Sequence, residues 1–144
     1  SYQLEISKLF PDITVTGEAC PMWVPLVENY EFDSPGADYF VKKRINNLLR
    51  KDHEIDAIIL GCTHYPLLIN KILKYVPAGV KIIPQGEYVA NSLKEYFVRH
   101  PEMEKQCTHG GKCLYMTTES PEKFKESAQM FLHEQVEVNH IDLE

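Results

Sequence analysis

The sequence predicts an α/β fold in which a parallel sheet is flanked by helices. Short β-branched runs alternate with helical stripes of ten to fifteen residues, an order that calls for parallel strands joined by helical crossovers. The apolar run Ala57-Ile58-Ile59-Leu60 also stops at Gly61, and Cys62, Thr63 and His64 follow before Pro66 opens a helical pattern. That is a strand, a tight turn and a helix start, the place where parallel sheets bind ligands.

Composition bounds the reading. A chain of 144 residues with 44% hydrophobic and 25% charged content can bury one ordinary core and is not a disordered composition. The net charge of -6, without a long basic cluster, argues against a nucleic-acid partner. No apolar run reaches the roughly eighteen residues of a membrane span, and the first residues lack the form of a signal peptide, so a cytoplasmic protein without a membrane partner is expected. The four cysteines, Cys20, Cys62, Cys107 and Cys113, are too few and too irregularly spaced for a disulfide scaffold. Reduced thiols are expected.

Taken in order, Tyr2 to Phe10 carries Leu4, Ile6 and Leu9 on one loosely amphipathic face ended by Pro11, the tail of a helix. Such an opening suggests a chain that begins inside a longer fold. Ile13 to Thr16 is β-rich and leads to Gly17-Glu18-Ala19-Cys20-Pro21, which predicts a strand. Met22 to Glu28 is apolar but interrupted by Pro25, a loop or short helical turn ending in a carboxylate. Ser34-Pro35 fits an N-cap and first helical residue, followed by the stripe Val41, Ile45, Leu48, Leu49 up to Lys51. After the central turn, Leu68, Ile72 and Val76 form a helical face stopped by Pro77 and Gly79. Val80 to Ile83 is a strand, Val89, Leu93, Tyr96 and Phe97 a helix, and Glu102 to Lys112 a polar loop. Cys113 to Thr118 is a strand, Ser120-Pro121 caps a helix with Phe124, Ala128, Phe131 and Leu132, and Val136 to Ile141 is the last strand.

The chemistry concentrates at the central turn. Cys62 beside a helix N-terminus is a candidate nucleophile or base, because the positive end of the helix dipole favours thiolate. His64 is a side chain able to pass a proton near neutral pH, Thr63 adds a hydroxyl, and backbone N–H groups entering the helix can hold a carboxylate. The set suits proton transfer on a small acid. Taken alone, these residues leave a second reading open, in which Cys62 and His64 are packed core side chains.

The run Ile59-Leu60-Gly61-Cys62-Thr63-His64-Tyr65-Pro66-Leu67-Leu68 resembles the second catalytic-cysteine motif of the glutamate racemases, within the cofactor-independent aspartate/glutamate racemase superfamily. Glu18-Ala19-Cys20-Pro21-Met22-Trp23-Val24-Pro25-Leu26-Val27-Glu28 resembles the family's Ala-Cys-Pro and Val-Pro-Leu-Val-Glu segment. Tyr115-Met116-Thr117-Thr118 and Pro121-Glu122-Lys123-Phe124 resemble its C-terminal strand and helix. The resemblance spans nearly the whole chain and implies the C-terminal half of a two-domain, pseudosymmetric racemase. It implies an isomerase that interconverts L- and D-glutamate without cofactor or metal, one cysteine removing the α-proton and another returning a proton from the opposite face. The product would supply D-glutamate for cell-wall peptidoglycan. On this resemblance Cys62 is one of the two cysteines, His64 its acid/base helper, Glu28 the supporting carboxylate and Thr63 a holder of the substrate carboxylate. Cys20 matches a structural stretch of the same half, not the other catalytic cysteine.

Residues 1-84 are then expected to form the second α/β domain, its start missing, and residues 85-144 to supply helices and strands that pack on the missing N-terminal half. That half is the expected partner, the fragment alone is expected to be inactive, and its exposed interdomain surface is expected to favour homodimers or aggregation. Two departures stand out. Pro84-Gln85-Gly86 replaces the commoner Asp-Ser-Gly, and Cys107, His109 and Cys113 lie in an unusual polar insertion. With His100 these could form a zinc site in a noncatalytic α/β interaction domain. A sister racemase acting on aspartate or another amino acid is the nearer alternative.

Overall fold

A computed structural model describes residues 2–143. The chain divides into two compact units, one up to Ser92 and one from Leu93. In the first unit, helix α1 (Tyr2–Leu9) is followed by an irregular stretch, helix α2 (Trp23–Glu28) and helix α3 (Pro35–Lys51). Strand β1 (Ala57–Ile59), a 3-10 helix (Tyr65–Leu68), helix α4 (Ile69–Tyr75) and strand β2 (Lys81–Ile83) complete it, with the start of helix α5 (Gln85–Arg99). β1 and β2 pair in parallel, Ala57 opposite Lys81 and Ile59 opposite Ile83. The 3-10 helix and α4 make the crossover that a parallel pair requires.

Local chemistry sets these elements. Ser34 caps α3 by accepting a hydrogen bond from the Ala37 N–H at 3.1 Å, and Pro35 follows at the first helical position, where its missing donor costs nothing. Ala37, Val41 and Ile45 recur every fourth residue on one face of α3 and are all buried. They pack with Trp23, Leu26 and Val27 of α2, and with Leu68 and Ile72, into the core. Each fully buried aliphatic side chain there contributes about 2 kcal/mol. α2 tolerates Pro25 because the proline lies in its first turn. It ends in a Schellman pattern: Glu31 N–H reaches the Leu26 carbonyl at 2.7 Å and Tyr30 N–H the Val27 carbonyl at 3.0 Å. Tyr30 takes the left-handed position there, with φ 59°.

The expected strand at Ile13 to Thr16 does not form, and among the described residues the segment from Pro11 to Cys20 has no strand partner. β propensity yields a strand only where another strand supplies a ladder. Side chains hold this segment instead. Thr16 Oγ1 lies 3.3 Å from Asp52 Oδ2, and Glu18 binds Arg44 at 3.0 Å and Lys51 at 2.7 Å on α3.

In the second unit, helix α6 (Pro101–Glu104) occupies the start of the expected polar loop. Strand β3 (Tyr115–Thr117) and strand β4 (Val138–His140) pair in parallel, with helix α7 (Pro121–Leu132) as the crossover. Ser120 caps α7 through the Lys123 N–H at 3.3 Å. Ala128 and Val138 are buried here, whereas Val98, Leu114 and Met116 face water. The expected α/β order of parallel strands flanked by helices is present, and among the described residues the strands form two small parallel sheets, each with its own crossover helix.

Candidate active site

β1 delivers Leu60 to the sheet end, where its N–H donates to the Ile83 carbonyl at 3.1 Å. Gly61 and Cys62 follow, and a turn closes when the Tyr65 N–H donates to the Cys62 carbonyl at 3.2 Å. The structure brings three of the four expected residues into one chain of contacts. Cys62 Sγ lies 3.7 Å from His64 Nδ1, and His64 Nε2 is hydrogen-bonded to Glu28 Oε1 at the end of α2. The 3.7 Å separation is within hydrogen-bond range for sulfur.

The order of these contacts selects a tautomer. An ionised carboxylate accepts only, so Glu28 takes the Nε2–H of His64 and leaves the Nδ1 lone pair facing the Cys62 thiol. A proton can pass from sulfur to Nδ1 while Glu28 stabilises the imidazolium that forms. The Schellman end of α2 fixes the backbone that carries Glu28. Cys62 is half-buried, and the side chains of His64 and Glu28 are 31% and 60% exposed.

Thr63, the fourth expected residue, is exposed beside Cys62 and makes no contact with the other three through its hydroxyl among the described residues. The helix beyond it is weaker than expected, a four-residue 3-10 helix whose N-cap His64 makes no side-chain cap. Pro66 has no N–H, and the Tyr65 and Leu67 N–H groups are engaged by the Cys62 and His64 carbonyls at 3.2 and 3.1 Å, so the helix start offers a ligand fewer donors than an ordinary helix N-terminus.

Cys20 occupies a different environment. Burial, then the nearby Glu18 charge, pushes its thiol up to about 11, so it stays protonated at neutral pH. The ring of Tyr65 packs edge-on against Trp23, with centroids 4.8 Å apart, and its phenol lies near both Cys20 and Cys62. Burial, followed by the charges of those two cysteines, raises the Tyr65 pKa. The sequence carries one signal for Tyr65, its place three residues after Cys62. Among the described residues, no group of three or more His, Cys, Asp or Glu side chains is gathered to hold a metal ion. His109 Nδ1 instead sits 3.8 Å from Glu104 Oε1, with Cys107 and Cys113 exposed.

No family model matches the chain. The glutamate racemase of Thermoanaerobacter sp. (strain X514) is 34% identical over 145 aligned positions, which cover 100% of this chain and 53% of that relative. That of Streptococcus agalactiae serotype Ia is 37% identical over 147 positions, covering 99% of this chain and 53% of the relative. The crystal structure of a glutamate racemase isoform from Bacillus anthracis superposes with a TM-score of 0.84 at 30% identity, over 99% of this chain and 52% of that one. This chain is similar to one half of a glutamate racemase. The glutamate racemase of Francisella tularensis, solved in complex with D-glutamate, superposes with a TM-score of 0.79 at 25% identity over 98% of this chain and 52% of that one. The chain therefore spans about half the length of the curated glutamate racemases it matches, and the match is consistent with their C-terminal half. No helix among the described residues is long and apolar enough to cross a membrane.

Proposed function

We propose that the chain is the C-terminal part of a cytoplasmic, cofactor-independent glutamate racemase, an isomerase that interconverts L- and D-glutamate and provides D-glutamate for peptidoglycan. The observation that carries this reading is the thiol–imidazole–carboxylate chain of Cys62, His64 and Glu28 at a strand end, within a chain that matches glutamate racemases along its whole length.

In the proposed mechanism Cys62 serves one face of the substrate α-carbon, as thiolate taking the α-proton or as thiol returning one. His64 Nδ1 holds the sulfur's proton between steps, and Glu28 keeps the imidazole in the tautomer that can do so. The amide and hydroxyl of Thr63 hold the substrate α-carboxylate. An amino-acid α-proton is very weakly acidic, so the site must stabilise developing negative charge and exclude water. With Glu28 largely in water, this chain builds half of such a site, and a second α/β half supplies the opposing thiol.

The test is α-proton exchange and racemisation of D- and L-glutamate in heavy water by the chain joined to its other half. Cys62→Ser is expected to abolish racemisation, and the 144-residue chain alone is expected to show none. Unchanged racemisation by Cys62→Ser would remove Cys62 from the mechanism. Turnover of L-glutamate by the isolated chain would overturn the two-half reading.

A further inference from the structure

The backbone leading into Cys62 is held by a side chain that the proton-transfer chemistry does not use. Gln85, the first residue of α5, donates from Nε2 to the Leu60 carbonyl at 2.7 Å. Its Oε1 accepts from the Tyr2 hydroxyl of α1 at 2.5 Å. The Leu60 N–H is tied to the Ile83 carbonyl at 3.1 Å, so both backbone polar groups of Leu60 are fixed by the stretch from Ile83 to Gln85. Leu60 is buried, and the next residue, Gly61, lies under the Tyr2 ring. A Cβ on Gly61 would stand 3.5 Å from the nearest ring carbon. Cys62 follows immediately. A carboxamide is suited to this place because one end donates while the other accepts. Methionine has no donor to offer, and an ionised glutamate can only accept.

We propose that Gln85 is a positioning residue for Cys62, bridging α1 to the exit of β1 so that the Gly61-Cys62 turn is presented in one conformation. The inference rests on Cys62 being the reactive thiol of the proposed function. Leu60 is the fixed point, Gln85 and Ile83 clamp it, and Tyr2 closes the outer side. Removing the amide frees the Leu60 carbonyl and allows the strand end to open, which loosens the Leu60 N–H bond and bares the Cys62 thiol.

The experiment follows Leu60 amide hydrogen exchange and Cys62 alkylation by iodoacetamide in the full chain, with the alkylation of Cys107 as an internal reference. Gln85→Met is expected to speed both readouts at Leu60 and Cys62 about fivefold, the effect of losing one ordinary hydrogen bond, and to leave Cys107 unchanged. Gln85→Glu is expected to behave like Gln85→Met at pH 7. It should return to the unaltered protein's exchange rate at about pH 3.5, below the ordinary glutamate value of about 4.3, where the protonated carboxyl again donates and accepts. A general loss of packing would not be repaired by protonating one side chain. If Gln85→Met fails to fold, Tyr2→Phe carries the test, since it keeps the ring over Gly61 and removes only the hydroxyl. It should speed Leu60 exchange about twofold. Unaltered Leu60 exchange in a folded Gln85→Met or Tyr2→Phe variant, or equal exchange by Gln85→Glu at both pH values relative to the unaltered chain, would overturn the proposal. Both readouts are taken without glutamate. Absence of racemisation in the completed enzyme would therefore count against the proposed function and leave only the clamp of Gln85 on Leu60 standing.

Discussion

Replacing Glu18 by glutamine removes the charge that anchors the irregular segment between α1 and α2 to α3. The Glu18 side chain is only 9% exposed and receives Lys51 Nζ at 2.7 Å and Arg44 Nη1 at 3.0 Å. The hydrogen bond from Lys51 is the largest cause, with Arg44 and Asn47 adding, of a carboxyl held down from an ordinary 4.5 to about 2, against the opposing effect of burial. A difference of that size corresponds to about 3 kcal/mol at neutral pH. Lys51 is half in water, and screening reduces the expected contribution to about 1–2 kcal/mol. Because the folded value is depressed, this stability is present above the ordinary value and is lost as pH falls from about 4.5 toward about 2. Urea unfolding at pH 7 is therefore expected to show Glu18→Gln less stable by about 1–2 kcal/mol, with the gap closing through that acid window. Equal stability at pH 7, or a gap that persists undiminished at pH 2, would refute the reasoning.

The thiols should be chemically distinct. With its thiol pushed up from 9.0 to about 11, Cys20 at pH 8 should react with iodoacetamide on the order of 100-fold more slowly than an unperturbed thiol, measured by peptide mass spectrometry. Comparable labelling would place Cys20 in an open, polar setting that the structure does not have. Lys71 is buried, with Nζ 2.7 Å from Asp38 Oδ2 and 3.0 Å from the Asp33 carbonyl. Lys71→Met should cost about 1–3 kcal/mol in urea unfolding, because Asp38 keeps only Lys74 and the Tyr75 hydroxyl as partners and the Asp33 carbonyl loses the Lys71 donor. A neutral effect would mean that water replaces the ammonium at no cost.

What could be read in the sequence was whatever is decided locally. Ser34-Pro35 and Ser120-Pro121 announced two helix starts because capping depends on a few neighbouring residues, and both serines do cap. Cys62 and His64 lie two residues apart, so their meeting followed from the turn alone. Glu28 entered through the resemblance, and no local pattern shows that the end of α2 returns to His64. The misreading at Ile13 to Thr16 has the same origin, since a β-prone run needs a neighbouring strand that its own residues cannot specify. The clamp on Glu18 and the bridge through Gln85 were likewise hidden, because each joins residues far apart in the chain.

The chain of contacts from Cys62 through His64 to Glu28 begins at a half-buried sulfur and ends at a carboxylate in water. Such a path lets isotopes in the solvent reach the thiol without a water molecule entering beside it. In deuterated solvent the hydrogen on Cys62 would be replaced through the imidazole. Under the proposed mechanism, a hydrogen taken from a ligand at that sulfur would then be diluted into the medium instead of returning to the molecule it came from.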